Sequence, residues 1–288
     1  MNIPDLQRKA GELRLQILNA ALKAGKGHVP PAFSWMEIGV ALFYGGGLRF
    51  RPSEPNWEGR DRFILSKGHG CLTLYAILAD LGFFPKVELE HFCEPGSLLA
   101  GHPDTNIPGV EAISGSLGHG LGVSAGLALG AKRNSQEWKV VTVLGDGECQ
   151  EGSVWEAAMF ASHHHLNNLV AVLDRNQLGA TNFTEKNLAL EPLETKWEAF
   201  GWEVVKIDGH SFKELHRVFS DVGHRTSTKP LLIFAQTIKG KGVSFMEGSV
   251  DWHHRLPKGG EVEEAIRQLT KADPQMNPPV SLELVHGP

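Results

Sequence analysis

The fold of this chain is decided by two stretches of sequence, KVVTVLGDG at residues 139–147 and LVAVLDRN at residues 169–176. Each stretch carries a continuous apolar run of strand length, at 139–144 and 169–173, and ends in turn-forming or polar residues. The segment 153–165 between them has the composition of a helix. This order predicts a βαβ unit in which two parallel strands lie side by side.

The alternation of strand and helix continues towards the C-terminus, whereas the first hundred residues are predicted to be mainly helical. Towards the C-terminus, strands are predicted at 202–207 and 231–237, with a helix at 211–222 between them. Towards the N-terminus, apolar periodicity predicts three helices, at 4–24, 35–44 and 70–81. Continuous apolar strands that alternate with helices predict an α/β fold with a parallel sheet covered by helices on both faces. Such sheets bind ligands beyond the carboxyl ends of their strands.

The composition is that of a soluble globular chain. Its 288 residues carry 28 basic and 33 acidic side chains, so the net charge is −5 and neither nucleic acid nor a membrane surface is an expected partner. The three cysteines, Cys71, Cys93 and Cys149, form neither a disulfide framework nor a metal motif. A charged N-terminus without an apolar run favours a cytoplasmic location.

We expect one domain over 1–256, followed by a peripheral tail over 257–288 with a short helix at 261–271.

Polar residues follow the two central strands. Asp146 lies in a Gly-Asp-Gly turn after the first strand, and Asn176 follows the second. Because adjacent parallel strands end at one edge of the sheet, a carboxylate and an amide oxygen would meet there. Both are ligands that Mg²⁺ prefers, and the flanking glycines would let a diphosphate approach the backbone. An ordinary turn would explain Gly-Asp-Gly alone, but the paired spacing favours a metal and diphosphate site.

With these two segments in view, the chain resembles the transketolase family. GDGECQEGSVWEA (145–157) and DRNQLGATN (174–182) are similar to its magnesium and thiamine diphosphate motif. Further segments agree in order and spacing between about residues 8 and 256: GKGHVPPAFSWMEIG, DRFILSKGHGCLTLYAIL, GHPD, GSLGHGLGVSAGLALG and IKGKGVSFMEGSVDWHH.

The resemblance covers only the N-terminal, diphosphate-binding domain of that family. It therefore implies one subunit of a split transketolase, a transferase of aldehyde or ketone residues that moves a two-carbon ketol unit from a ketose to an aldose. The implied cofactors are thiamine diphosphate and Mg²⁺, with Ca²⁺ or Mn²⁺ as alternatives at an all-oxygen site. The implied partner is a separately encoded C-terminal subunit in an α2β2 assembly, and the isolated chain should be inactive.

The resemblance also implies roles for individual residues around the cofactor. Asp146, Asn176 and the backbone carbonyl of Leu178 would be the metal ligands. The residues expected to contact the cofactor itself are Gly147 at the diphosphate, Gly115 and Leu117 at the aminopyrimidine ring, together with His69 and Asn176. Glu151 matches a glutamate that reaches across the subunit interface, although an acid favoured by the helix dipole would explain it equally well.

Four histidines are expected to line the path to the cofactor: His28, His69, His102 and His253. Histidine can donate and accept protons near neutral pH, as ketol transfer between sugars requires. The run at 163–165 points in different directions on a helix, so we interpret it as solvated or capping. Lys239 and Lys241 could neutralise a phosphate or be solvated.

Two departures from the family pattern affect the expected substrate. Pro30-Pro31 stands where a glycine pair is usual and would stiffen the backbone near the substrate entrance, while His119 replaces a usual glutamine in the cofactor loop. The alternatives are therefore a transketolase-like enzyme for an unusual sugar, another thiamine-dependent synthase, or a non-catalytic regulatory paralogue.

Overall fold

The computed structural model describes residues 1–271 and is built around one parallel sheet. Its strands within those residues are β1 Arg62–Leu65, β2 Val140–Gly145, β3 Leu169–Arg175, β4 Glu203–Asp208 and β5 Leu231–Gln236. The order across the sheet is β1-β2-β3-β5-β4, and all four pairings are parallel. The predicted neighbours β2 and β3 are paired, with Gly145 opposite Asp174.

Helices surround this sheet. Those of residues 1–271 are α1 Ile3–Ala24, α2 Val29–Ser34, α3 Met36–Phe43, α4 Cys71–Leu81, α5 Gly120–Arg133, α6 Gly152–His163, α7 Thr184–Asn187, α8 Leu193–Ala199, α9 Phe212–Asp221 and α10 Gly260–Lys271. The helix α1 begins and ends within one residue of the bounds expected from its sequence. The Asn2 side chain caps α1 by accepting the Asp5 N–H at 2.9 Å, and Gly25 ends it with a φ of +66°. None of the helices in this part of the chain has the length and apolar composition needed to cross a membrane.

Both faces of the sheet are buried. Val141 and Val143 of β2 point into a core shared with α1, α3 and α4, whereas Val140 and Leu144 point into a second core shared with α5 and α6. Successive side chains of a strand project to opposite faces, so a strand buried on both sides must be apolar throughout. The prediction of an α/β fold with a sheet covered on both faces is confirmed.

Two elements in the first hundred residues were not predicted. The strand β1 is only four residues long and lies beside helical segments, so its RFIL pattern gave too short a signal. The helix α2 contains Pro30 and Pro31, which the sequence analysis treats only as a stiff stretch of backbone. Proline is tolerated in the first turn of a helix, where its missing N–H has no intrahelical partner, and α2 uses both prolines there.

The helix predicted at 261–271 corresponds to α10. Its Ala265 and Leu269 are buried in the same core as α1. The boundary at 256/257 remains a prediction, and residues 272–288 of the predicted tail lie outside the described part of the chain.

Candidate active site

The turns that follow four of the strands meet at one edge of the sheet. They contribute Lys67 and His69 after β1, Asp146 after β2, Asn176 after β3 and Lys239 after β5. The parallel register brings these residues together, since Gly145 pairs with Asp174 and Arg175 pairs with Gln236. The site expected beyond the carboxyl ends of the strands is therefore formed by residues far apart in sequence.

Asp146 is almost completely buried at this edge, with 1% of its surface exposed. Its carboxylate accepts the backbone N–H groups of Gly147 at 2.7 Å and Gln177 at 2.5 Å, and the Arg175 guanidinium at 3.1 Å. Burial raises the pKa of this carboxyl, and the neighbouring Asp174 raises it further against the opposing effect of Arg175. The ionised carboxylate is thus held where additional positive charge would stabilise it.

The other two predicted metal ligands lie in the turn after β3. The Asn176 side-chain oxygen accepts the Leu178 N–H at 3.1 Å, and the Leu178 carbonyl faces the Lys239 ammonium at 3.5 Å. Lys239 also donates to the Gly179 carbonyl at 2.9 Å. The Lys239 ammonium therefore lies beside one of the oxygens assigned to the metal, the Leu178 carbonyl.

Lys239 is 2% exposed, so it is not the solvated lysine that one interpretation of the sequence allowed. Burial lowers its pKa to about 8, and repulsion from Lys67 adds to the shift, while Asp146 and Asp174 oppose it. Lys241 differs, because its ammonium is half-buried at the surface, 3.5 Å from Glu247. Of the two lysines, Lys239 has the position to meet a phosphate.

Two glycines near the site leave room for a further atom. A Cβ added to Gly147 would approach no atom more closely than 3.9 Å, and one added to Gly115 would stay 3.8 Å from His102. These are ordinary van der Waals distances, so another group can approach the backbone closely at both positions. The oxygens, the buried lysine and these two glycines fit a divalent cation and a diphosphate.

A buried ion pair that sequence reasoning missed lies beneath the site. The ammonium of Lys67 contacts the Asp174 carboxylate and donates to the Pro31 carbonyl at 3.0 Å. Asp174 also accepts the hydroxyls of Ser34, at 2.5 Å, and Thr237. Burial alone would raise the pKa of Asp174, but Lys67 and the hydrogen bonds outweigh it and lower the pKa.

The prolines of α2 serve this same network. The Pro31 carbonyl accepts Lys67, and the Pro30 carbonyl accepts the Gly240 N–H at 3.0 Å. Both prolines are buried, and their carbonyls hold the two loops that carry Lys67 and Gly240.

Glu148 ties the loop at 115–120 to the end of β2. Its carboxylate accepts the N–H of Gly118 at 2.8 Å, the N–H of Gly145 at 3.1 Å and the Ser66 hydroxyl. Burial raises its pKa despite these hydrogen bonds. Gly118 has a φ of +86°, and a Cβ there would lie 2.7 Å from the Cβ of Glu151. This position requires glycine, and it sets the path of the loop that carries Gly115 and Leu117.

The four predicted histidines lie together at the mouth of the site. The His28 ring centroid is 5.7 Å from that of His69, 6.2 Å from that of His102 and 5.4 Å from that of His253. A fifth ring, which the sequence analysis did not select, belongs to His254 and lies 4.2 Å from His28. Its position directly after His253 was the available signal.

Burial keeps the inner rings neutral. It lowers the pKa of His28 to about 4 and that of His253 to about 3, with help from neighbouring imidazoles and from Lys239. Burial also lowers the pKa of His69 well below its usual value, and the pKa of the exposed His102 is lowered for the same reason. Lys239 donates to Nδ1 of His253 at 2.6 Å, which places that ring's own proton on Nε2.

Three other selected positions lie outside this group. Glu151 is exposed at the N-terminus of α6, in agreement with either of its two interpretations. His119 is exposed at the start of α5, and its Nδ1 lies 3.0 Å from the Leu117 carbonyl. The histidines at 163–165 lie at the C-terminal end of α6, where His164 caps the helix and His165 has a φ of +51°. That run is a helix end, as interpreted from the sequence.

Comparison with known proteins agrees with this geometry. Residues 6–285 match the family model described as transketolase, thiamine diphosphate binding domain. The chain is 38% identical over 271 residues to an apulose-4-phosphate transketolase subunit of Phocaeicola vulgatus, covering 94% of this chain and 96% of that protein. It is 41% identical over 268 residues to the 6-deoxy-6-sulfo-D-fructose transketolase subunit SqwG of a Clostridium species, covering 93% and 97%.

Full-length transketolases match over less than half of their length. The human enzyme is 38% identical over 92% of this chain and 42% of its own. The crystal structure of transketolase from Campylobacter jejuni superposes with a TM-score of 0.88 and 31% identity over 96% of this chain and 44% of that one. The chain therefore belongs to the transketolase family, in which it corresponds to the thiamine diphosphate-binding domain.

Proposed function

We propose that this chain is the N-terminal subunit of a split transketolase, which transfers a two-carbon ketol unit from a ketose donor to an aldose acceptor. The observation that carries the proposal is the combination of the buried oxygens around Asp146 with neutral histidines at the mouth of the same site. The match in length to relatives named as subunits supports a split enzyme.

Asp146, Asn176 and the Leu178 carbonyl would hold the divalent cation, Mg²⁺ in the first instance with Mn²⁺ or Ca²⁺ as alternatives. Gly147 would border the diphosphate, with Lys239 within reach of its negative charge. Gly115 and Leu117 would contact the aminopyrimidine ring, and Glu151 would face the partner subunit. When bound, thiamine diphosphate supplies an electron sink for breaking the bond between C2 and C3 of the donor.

The chain's own contribution to the chemistry is proton handling. Neutral His28 and His69 can accept protons from sugar hydroxyls at neutral pH, because burial disfavours their charged forms. His253 presents an N–H on Nε2 and can donate a hydrogen bond to a sugar oxygen. His102, at the exposed edge of the group, is placed to orient the incoming sugar.

The partner would be a separately encoded C-terminal subunit in an α2β2 assembly in the cytoplasm. Apolar side chains exposed on neighbouring helices support assembly, with 43% of Val123 on α5 exposed together with 54% of Met159 and 39% of Phe160 on α6. Large apolar side chains that reach solvent together are typical of interaction surfaces.

The donor is tested with the chain and its partner together. Ketol transfer to ribose 5-phosphate is measured with xylulose 5-phosphate, apulose 4-phosphate and 6-deoxy-6-sulfofructose as donors, in the presence of thiamine diphosphate and Mg²⁺. Activity with xylulose 5-phosphate supports a role in the pentose phosphate pathway, and activity with either of the others supports an enzyme for an unusual sugar. Tight cofactor binding without transfer from any donor would contradict the proposal and favour a regulatory paralogue.

A further inference from the structure

Three imidazoles at the mouth of the site are close enough to share one ion. We call His28, His253 and His254 the three-histidine cluster. The nitrogens that each ring would offer all lie within 4.8 Å of one another. The ring centroids are 4.2 Å apart for His28 and His254, and 4.6 Å apart for His253 and His254.

The 4.8 Å limit on these separations is within reach of a tetrahedral metal site after side-chain rotation. Zinc binds imidazole nitrogens at about 2.0–2.1 Å, which places two such nitrogens roughly 3.3 Å apart. His253 and His254 are consecutive residues on a loop after the turn Val250–Trp252, so small side-chain rotations can close the remaining gap. His28 is fixed at the start of α2.

The cluster has the chemical state and the access that a metal needs. Neutral imidazole is the ligating form, and burial keeps His28 and His253 neutral by lowering their pKa values to about 4 and 3. The ring of His254 is exposed, so an ion can enter from solvent. Three nitrogen donors suit Zn²⁺ and related transition metals and not Mg²⁺, which prefers oxygen.

We propose that the three-histidine cluster binds a divalent transition metal of the Zn²⁺ type, with water in the fourth position. The ion would occupy His28 and His253 and exclude a sugar from the mouth of the site, so it would act as an inhibitor. The binding half of this inference is independent of the proposed function, whereas the inhibition half rests on it.

The binding half is tested by titrating the isolated chain with Co²⁺, whose visible absorption reports tetrahedral nitrogen ligation, and then displacing it with Zn²⁺. We expect one tetrahedrally coordinated ion per chain, since an ion on the oxygens around Asp146 does not give this spectrum. His254→Ala should weaken binding by roughly 100-fold or more, because even the loss of a group that only supports a ligand costs about 10- to 100-fold.

Two matched variants exclude the other candidate sites. His164→Ala alters the histidine run at the end of α6, and Asp146→Asn alters the oxygen site. Both should bind Co²⁺ as the unaltered chain does. Equal binding by His254→Ala, loss of binding in His164→Ala or Asp146→Asn, or no tetrahedral spectrum at all would overturn the assignment.

The inhibition half is tested on the chain with its partner. Zn²⁺ should inhibit ketol transfer by the unaltered protein at a concentration at least about tenfold below that needed for His254→Ala, each compared with its own metal-free rate. Binding without this difference would overturn inhibition and leave the metal site standing. Absence of ketol transfer in both proteins would instead count against the proposed function, since the Co²⁺ spectrum does not depend on activity.

Discussion

Asp146, in the turn after β2, and Asp174, on β3, lie at the same end of the sheet, yet their surroundings shift their pKa values in opposite directions. Lys67 and the hydroxyls of Ser34 and Thr237 lower the pKa of Asp174, whereas burial and the nearby Asp174 raise that of Asp146. The charge of the Asp174 carboxylate is balanced by partners within the protein. Asp146 is the carboxylate whose charge is left for a ligand to stabilise, and functional sites commonly carry this kind of unfavourable group.

Asp146→Asn should therefore separate stability from function. The neutral amide removes a buried charge, so we expect the free energy of unfolding of the cofactor-free chain to stay the same or rise. Binding of thiamine diphosphate with Mg²⁺, measured by calorimetry on the chain with its partner, should weaken by at least about tenfold. Glu198→Gln, on the exposed side of α8, is the control, and cofactor affinity equal to that of this control would contradict the assignment of Asp146.

Asp174→Asn should have the opposite profile. It leaves the Lys67 ammonium buried without its counter-charge, which costs about 3–5 kcal/mol of unfolding free energy in comparable buried pairs. Urea denaturation measures this loss. Adding Lys67→Met should recover part of it, because the two side chains act as one unit. A double variant as unstable as the sum of the two single variants would show that the pair is not coupled.

The residues predicted from sequence were those next to a recognisable turn. Asp146 and Asn176 follow apolar strands, and the structure places both at the predicted edge. Lys67 and Asp174 gave no local signal, since they are 107 positions apart and meet only because β1, β2 and β3 are adjacent.

At the scale of elements, the loop at 115–120 shows how one glycine determines the course of the backbone. Gly118 has a positive φ, and a side chain there would lie 2.6 Å from Ser153 and 2.7 Å from Glu151. The same loop holds the N–H that donates to Glu148. The position of Gly115 and Leu117 thus depends on the conformation of Gly118.

Gly118→Ala should displace this loop and weaken cofactor binding, with a loss of stability of about 1–2 kcal/mol for an L-residue forced into the left-handed region. Gly126→Ala is the matched control, because an added Cβ there meets nothing within 4 Å. In the middle of α5 it should stabilise the chain by about 0.5–1 kcal/mol. Thermal denaturation and calorimetry report both effects, and unchanged cofactor affinity in Gly118→Ala would argue against the role of the loop.

Element prediction succeeded where periodicity was long and failed where elements were short. Of the five strands in residues 1–271, four were located to within about two residues, as were the helices predicted with bounds, because each is a continuous apolar or periodic run. β1 has four residues, and α2 has six residues with prolines at its second and third positions, so neither gave a pattern long enough to recognise.

At the scale of the whole molecule, the two cores of residues 1–271 enclose the sheet, and neutral histidines gather beyond the carboxyl ends of its strands. This arrangement lowers the stability of the folded chain at acidic pH. Between about pH 6.5 and 4 the unfolded chain binds a proton at His28 that the folded chain does not, and His253 extends the difference below that range. Stability therefore rises with pH across this window.

We expect the double variant His28→Asn, His253→Asn to show a shallower rise in unfolding free energy between pH 4 and 6.5 than the unaltered chain. Urea denaturation at a series of pH values measures the slope. His216→Asn, at an exposed position on α9, serves as the control. A slope as steep in the double variant as in this control would show that other groups dominate the acid response.

The fold class and family could be predicted from the sequence because the apolar strands and the glycine turns between them are local patterns. The donor sugar could not, because Pro30 and Pro31 are buried within the protein and describe its packing, not a substrate contact.

The central claim is that this chain supplies the cofactor-binding half of a split transketolase. The most direct measurement is ketol transfer to ribose 5-phosphate by the chain alone, by its candidate C-terminal partner alone and by the two mixed, each with thiamine diphosphate and Mg²⁺. We predict activity only in the mixture, reaching a maximum at equal amounts of the two chains and lost in Asp146→Asn. Ketol transfer by the chain alone, or by a mixture containing Asp146→Asn at the full rate, would contradict the account.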